Sequence, residues 1–154
     1  QVEFNSATFY RYAVLDARKL LANLQSDRTL TLSAIEAFAQ AIARAIPTGK
    51  QNSFAAHNPP AFIGVCLRHA APLNLANAFE KPVRSKADEA LSARSVAALA
   101  EHEARLAAVY AAPQDQWLYL DLTGCWPRDR GAEQKTLAEL AHSVRELAAA
   151  SLAQ

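Results

Sequence analysis

Between residues 48 and 60 the chain reads TGKQNSFAAHNPP, and these residue types could hold a phosphodiester chain. Gly49 frees the backbone, Lys50 supplies a cation, Gln51 and Asn52 offer amides, Ser53 adds a hydroxyl, and Phe54 brings a ring that can stack on a base or pin the loop down. Amides beside one cation suit phosphate and ribose hydroxyls. The same amides can equally serve the turns of a polar connector, starting from Thr48. A second candidate is the basic run Lys81, Arg84 and Lys86, which can meet phosphates or face water as a solvated edge.

Other constellations fail on spacing. Gly49-Lys50 has the centre of a phosphate-binding loop, but Arg44 stands where that motif needs its first Gly and Gln51 where it needs Ser or Thr. His57, His69, His102 and His142 have no metal-ligand spacing with one another or with the cysteines. His57 could pair with Cys66 for thiol chemistry, but Cys66 falls in a buried-strand pattern, where thiols are inert. Asp121 is a lone carboxylate, expected at the surface or paired with Arg128 or Arg130. No nucleophile, base and oxyanion site assemble, so the expectation is a protein that is not an enzyme and takes no metal or cofactor.

Positioning these residues falls to elements whose periods can be read. Residues 2 to 14 are rich in aromatic and β-branched types and alternate like a strand. Residues 16 to 25 predict a short helix with Asp16 as N-cap and Leu20, Leu21 and Leu24 inward. After the polar break SDRT, residues 31 to 46 predict a helix with Leu32, Ile35, Phe38, Ala39, Ile42 and Ile46 at helical spacing. Ser33 and Glu36 read as its capping box and Pro47 as its stop. Residues 61 to 69 read as a largely buried strand, and residues 73 to 86 as a loop with room for a small edge strand. Residues 88 to 111 predict an Ala-rich helix with Val96, Leu99, Leu106, Val109 and Tyr110 inward and Glu101, Glu103 and Arg105 outward. Residues 116 to 122 alternate Trp117, Tyr119 and Asp121 against Leu118, Leu120 and Leu122, a strand with two chemically different faces. TGCWPRDRG then turns the chain, and residues 132 to 152 predict a last helix with Leu137, Leu140, Val144 and Leu147 inward. The order implies an α+β or α/β layer arrangement around a thin sheet.

Composition agrees with one globular unit. The chain has 154 residues, 51% of them apolar and 20% charged, enough for one core. Its net charge of +1 leaves any nucleic-acid contact to a local cluster. Cys66 and Cys125 lie far apart, as reduced thiols of a cytoplasmic protein would, and no apolar run reaches membrane-spanning length. The opening at Gln1, already in strand-like sequence, reads as a piece of something longer.

Three stretches, FNSATFYRYAVLD, IPTGKQNSFAAHNPP and NLANAFEKPVRSK, resemble in order three landmarks of the CasC family, the backbone subunit of the type I-E CRISPR surveillance complex Cascade. The resemblance covers essentially the whole chain, more weakly over the Ala-rich helices, and corresponds to the C-terminal half of a family member. It implies an α+β fold, part of a ferredoxin-like palm of RNA-recognition-motif type with covering helices. It also implies a non-catalytic function in antiviral defence: copies of the subunit stack along the CRISPR guide RNA, contact other Cascade subunits, and present the bases to target DNA, with no membrane partner. Under it Thr48, Gly49, Lys50, Gln51 and Asn52 lie along the guide RNA, and Arg84 and Lys86 approach target DNA. Tyr10, Arg11 and Tyr12 lie on a palm strand, in a core role or against RNA.

Overall fold

The computed structural model describes residues 7–45 and 57–153. In them the chain forms α1 (Ala17–Asn23), α2 (Arg28–Arg44), β1 (Phe62–Leu67), a short 3-10 turn (Ala76–Phe79), α3 (Leu91–Tyr110), β2 (Gln116–Asp121), β3 (Ala132–Glu133) and α4 (Leu137–Ser151). The fold is α+β. Its sheet has the order β1-β2-β3, with β1 antiparallel and β3 parallel to the central strand.

The helix starts follow from side-chain caps. Asp16 accepts the Lys19 N–H at 2.9 Å and opens α1 as expected. The next cap departs from expectation: α2 begins at Arg28, because Asp27 accepts the Leu30 N–H at 2.9 Å. Ser33 and Glu36 are thus interior to the helix and form no capping box. Gln25 and Ser26, at φ 54° and 64°, make the tight reversal that delivers Asp27 to this position, and a carboxylate at the positive end of the helix outcompetes a serine further along. Glu36 instead pairs with Arg145 at 3.0 Å, tying α2 to α4. Phe38, expected inward, is 40% exposed, while Leu32, Ile35 and Ala148 form the buried seam with Leu20 and Val144 packed against it.

The second core lies against the sheet. Tyr119 and Trp126 are almost fully buried, and Leu75, Val96, Leu99 and Ala100 close over them. The Trp126 ring centroid lies 4.8 Å from Phe62, 5.3 Å from Trp117 and 6.2 Å from Tyr119, all tilted, the arrangement that ring quadrupoles favour. Leu118, which points away from Tyr119 along the strand, is buried as well, so β2 is covered on both faces rather than half solvated. Val109 and Tyr110, expected inward on α3, are 72% and 58% exposed. Glu103, expected outward, is buried: Arg130 reaches back to it at 2.9 Å and to the Ala100 carbonyl at 2.8 Å.

Residues 7–14, the described part of the expected first strand, form no strand. A strand needs a neighbour, and among the described residues none lies alongside. The segment is held instead by side chains. Tyr10 donates to Asn74 Oδ1 and accepts the Leu75 N–H, both at 3.2 Å, and its ring meets Phe79 at 5.7 Å. Burial of this phenol pushes its pKa up. Arg11 donates to the Ala45 carbonyl at 2.8 Å and to the Ile42 carbonyl.

The turn after β2 is built on Asp121. Oδ1 accepts the Thr123 N–H at 2.7 Å and the Thr123 hydroxyl at 2.6 Å, and Oδ2 accepts the Trp126 N–H at 2.9 Å. The expected pairing with Arg128 or Arg130 does not occur, since these nearer donors occupy the carboxylate. Burial pushes the Asp121 pKa up, but the Thr123 hydroxyl and the Trp126 and Thr123 N–H groups outweigh it, and the group lies below the usual carboxylate range. Its stabilising contribution is therefore complete above the unfolded value of about 3.9 and is lost as pH falls through the lower folded value.

Two outcomes follow for stability. At Gly131, φ is +95° and a Cβ would sit 2.4 Å from the Trp117 carbonyl oxygen, whereas at Gly124, φ +70°, nothing lies within 4 Å. In urea unfolding, Gly124→Ala costs about 1 kcal/mol of left-handed strain, and Gly131→Ala about 3 kcal/mol or more because backbone must also move. Equal losses would show that β3 can separate from β2 freely. Asp121→Asn costs about 1 to 2 kcal/mol at pH 7, and the gap to the parent protein narrows as pH drops below about 4. A gap independent of pH would show that the charge is not what holds the turn.

Candidate nucleic-acid interface

The expected RNA loop, Thr48, Gly49, Lys50, Gln51 and Asn52, lies outside the described residues. In the chain it connects α2, which ends at Arg44, to β1, which begins at Phe62.

Arg84 and Lys86 are both exposed, in a segment between the 3-10 turn and α3. The small edge strand allowed for here is only a single bridge, Lys86 to Glu89, in which the Glu89 N–H donates to the Lys86 carbonyl at 3.2 Å. Arg94, in the first turn of α3, donates to the Arg84 carbonyl and lies 3.4 Å from the Glu89 carboxylate. The two cations therefore project from a segment tied by its backbone, with both side chains at the surface. Sequence reasoning passed over Arg94 because a single Arg in an Ala-rich helix carries no signal of its reach.

Of the three residues expected on a palm strand, Tyr10 and Arg11 lie in no strand and spend their polar groups on protein, as described above, while Tyr12 is 41% exposed near Phe9 at 77% and Val14 at 54%.

Little else could do chemistry. Cys66 is half-buried on β1, and burial first, then the Asp115 charge, push its thiol up to about 12, so it holds its proton near neutral pH. His57 is exposed. A groove of about 500 Å³ between α3, β2 and α4 is lined by Glu103, Asp115, Trp117, Arg130 and Leu147, but its carboxylates already pair with arginines. Asp115 takes Arg68 at 2.7 Å, and the same guanidinium also donates to the Ala71 and Tyr110 carbonyls. Among the described residues no three His, Cys, Asp or Glu side chains are grouped to hold a metal ion, and no helix is long and apolar enough to cross a membrane.

Comparison with known proteins places this geometry. The family model described as CT1975-like protein, a Cas family, matches residues 1–148. No curated protein matches the chain. A chain in a solved structure described as "CRISPR RNA-guided surveillance complex, pre-nicking" superposes with a TM-score of 0.78 over 87% of this chain, at 21% identity. The match covers 39% of that chain, so this one spans well under half of its length. At that identity the likeness establishes the shared α+β fold.

Because Arg84 and Lys86 make no side-chain contact that supports a core, replacing both with Ala should change unfolding free energy by no more than about 0.5 kcal/mol. Denaturant titration checks this, and a larger loss would make them structural residues.

Proposed function

We propose a function from one premise: the chain belongs to the CT1975-like protein family. It is a non-catalytic, guide-RNA-binding backbone component of a CRISPR surveillance complex of the type I-E Cascade kind. Copies of it stack along the guide RNA beside other subunits of the complex and support recognition of target DNA. The observation that carries this reading is the fold match across 87% of the chain to a chain of a CRISPR RNA-guided surveillance complex. The resemblance seen in three sequence landmarks points the same way.

Within that assembly the labour divides by position. Thr48, Gly49, Lys50, Gln51 and Asn52 supply amides, a hydroxyl and one cation to the guide RNA backbone. Arg84 and Lys86 meet target-DNA phosphates, which demand cations but no base reading. Their exposure on a segment that Arg94 holds through the Arg84 carbonyl and the Glu89 carboxylate suits that task.

A second reading has its own observation. Phe9, Tyr12 and Val14, close in the chain, are 77%, 41% and 54% exposed, as on a chain that packs on protein and leaves RNA to others. The absorbance ratio at 260 and 280 nm of the purified protein separates the two, since copurifying guide RNA raises it.

In the assembled complex Lys50→Ala should lower the slope of log affinity against log salt by about one phosphate contact per engaged subunit, with stability unchanged. An unchanged slope removes the loop from the RNA track. Replacing Arg84 and Lys86 together should weaken binding of a matching duplex while guide content stays normal. Loss of guide RNA from that variant would move both residues to the RNA track.

A further inference from the structure

The segment from Glu80 to Glu89 holds three bases, Lys81, Arg84 and Lys86, and three acids, Glu80, Asp88 and Glu89. With no net charge it exerts little pull on DNA at long range, so the placement of its cations relative to its carboxylates decides whether phosphates can bind. Beyond the end of the 3-10 turn at Phe79, the segment has only the Lys86–Glu89 bridge of its own. A side chain outside it must hold its shape.

Arg94 does so from two sides. One terminal nitrogen donates to the backbone carbonyl of Arg84, and Nε sits 3.4 Å from the carboxylate of Glu89, the residue bridged to Lys86. A guanidinium is a planar fork that can serve two acceptors at once, which an ammonium on a flexible stem does poorly. The Arg94 side chain is 28% exposed against 56% for Glu89, so the clamp is seated from the helix side and its acid partner faces water. By engaging Glu89, Arg94 also screens the carboxylate of the residue whose backbone is bridged to Lys86.

We propose that Arg94 is the positioning residue of the DNA-facing segment: it fixes Arg84 and Lys86 in one presentation and neutralises Glu89 beside them, without itself touching DNA. This rests on the assignment of Arg84 and Lys86 to DNA made above.

The test compares Arg94→Ala, the Arg84→Ala/Lys86→Ala pair, and all three changes together, in the assembled, guide-loaded complex. Affinity for a matching DNA duplex is measured over a range of salt, with amide hydrogen exchange of residues 81–89 recorded in parallel. Arg94→Ala should lose about tenfold in affinity, most of what the pair loses, and the triple variant should bind no more weakly than the pair. Exchange in residues 81–89 should quicken, guide content should hold, and Arg94→Lys should restore only part of the affinity. A triple variant weaker than the pair, with the salt slope down by a third contact, would make Arg94 a phosphate ligand and overturn the proposal. So would full affinity in Arg94→Ala when the pair is impaired. If the pair itself binds DNA normally, the DNA assignment fails, and exchange alone decides the clamp: unchanged exchange in Arg94→Ala refutes it. Should Arg94→Ala fail to fold, Glu89→Gln loosens the same clamp from its exposed side and should quicken exchange in the same residues.

Discussion

The last carbonyls of an α-helix have no partner within the helix, and they sit at the negative end of its dipole. In this fold each of the three longer helices meets that constraint with an arginine from a distant part of the chain. Arg11 serves Ile42 and Ala45 at the end of α2, Arg68 serves Tyr110 at the end of α3, and Arg28 serves Ala149 and Leu152 at the end of α4. These bonds cross 31 to 124 residues of sequence, so each also fixes tertiary placement: the N-terminal segment on α2, β1 on α3, and the start of α2 beside the end of α4. Arg68 is the most constrained, with its partner Asp115 at 7% side-chain exposure, where removing one charge would strand the other.

With the helices held at their ends, Trp126 can hold the sheet. A three-stranded sheet whose third strand is two residues long has little stability of its own. It gains it by placing one large ring against Phe62 of β1 and Trp117 and Tyr119 of β2, under the buried face of α3. The indole N–H finds the Arg130 carbonyl at 3.0 Å, and the backbone N–H is fixed by Asp121, so neither polar group is left unpaired in the core. Gly131 then lets the chain pass close enough to Trp117 for β3 to pair.

This hierarchy explains what could be read from the residues alone. The periods at Leu32 and Ile35, at Val96 and Leu99, and at Leu140 and Val144 report burial that each helix imposes locally, and the strands at 62–67 and 116–121 carry β-branched and aromatic residues, so element types were legible. Starts and faces that depend on a distant partner were not. Glu103 looks like a solvent residue until Arg130 reaches it, and Ser33 looks like a cap until the reversal at Gln25 and Ser26 hands that role to Asp27. Residues 7–14 carry a strand's pattern, but pairing is a property of two segments, and one segment's sequence is silent about the other. For the candidate interface, residue type marked Arg84 and Lys86, while the clamp that shapes their segment sits in a helix whose composition advertises only helicity.

The use of arginine in the fold bears on how nucleic acid could be met. The chain has 16 Lys and Arg against 15 Asp and Glu, which by count alone argues against a charged binding surface. Yet Arg11, Arg28, Arg68, Arg130 and Arg145 are engaged with protein carbonyls or carboxylates, so five of those 16 cations also hold the fold. A phosphate backbone approaching this surface meets exposed cations such as Arg84 and Lys86 on a chain whose charges nearly cancel overall. Such contacts are weak singly, with an energy that falls steeply with salt. They become effective when many copies are fixed at regular spacing along one polymer, because each contact after the first is made at high effective concentration.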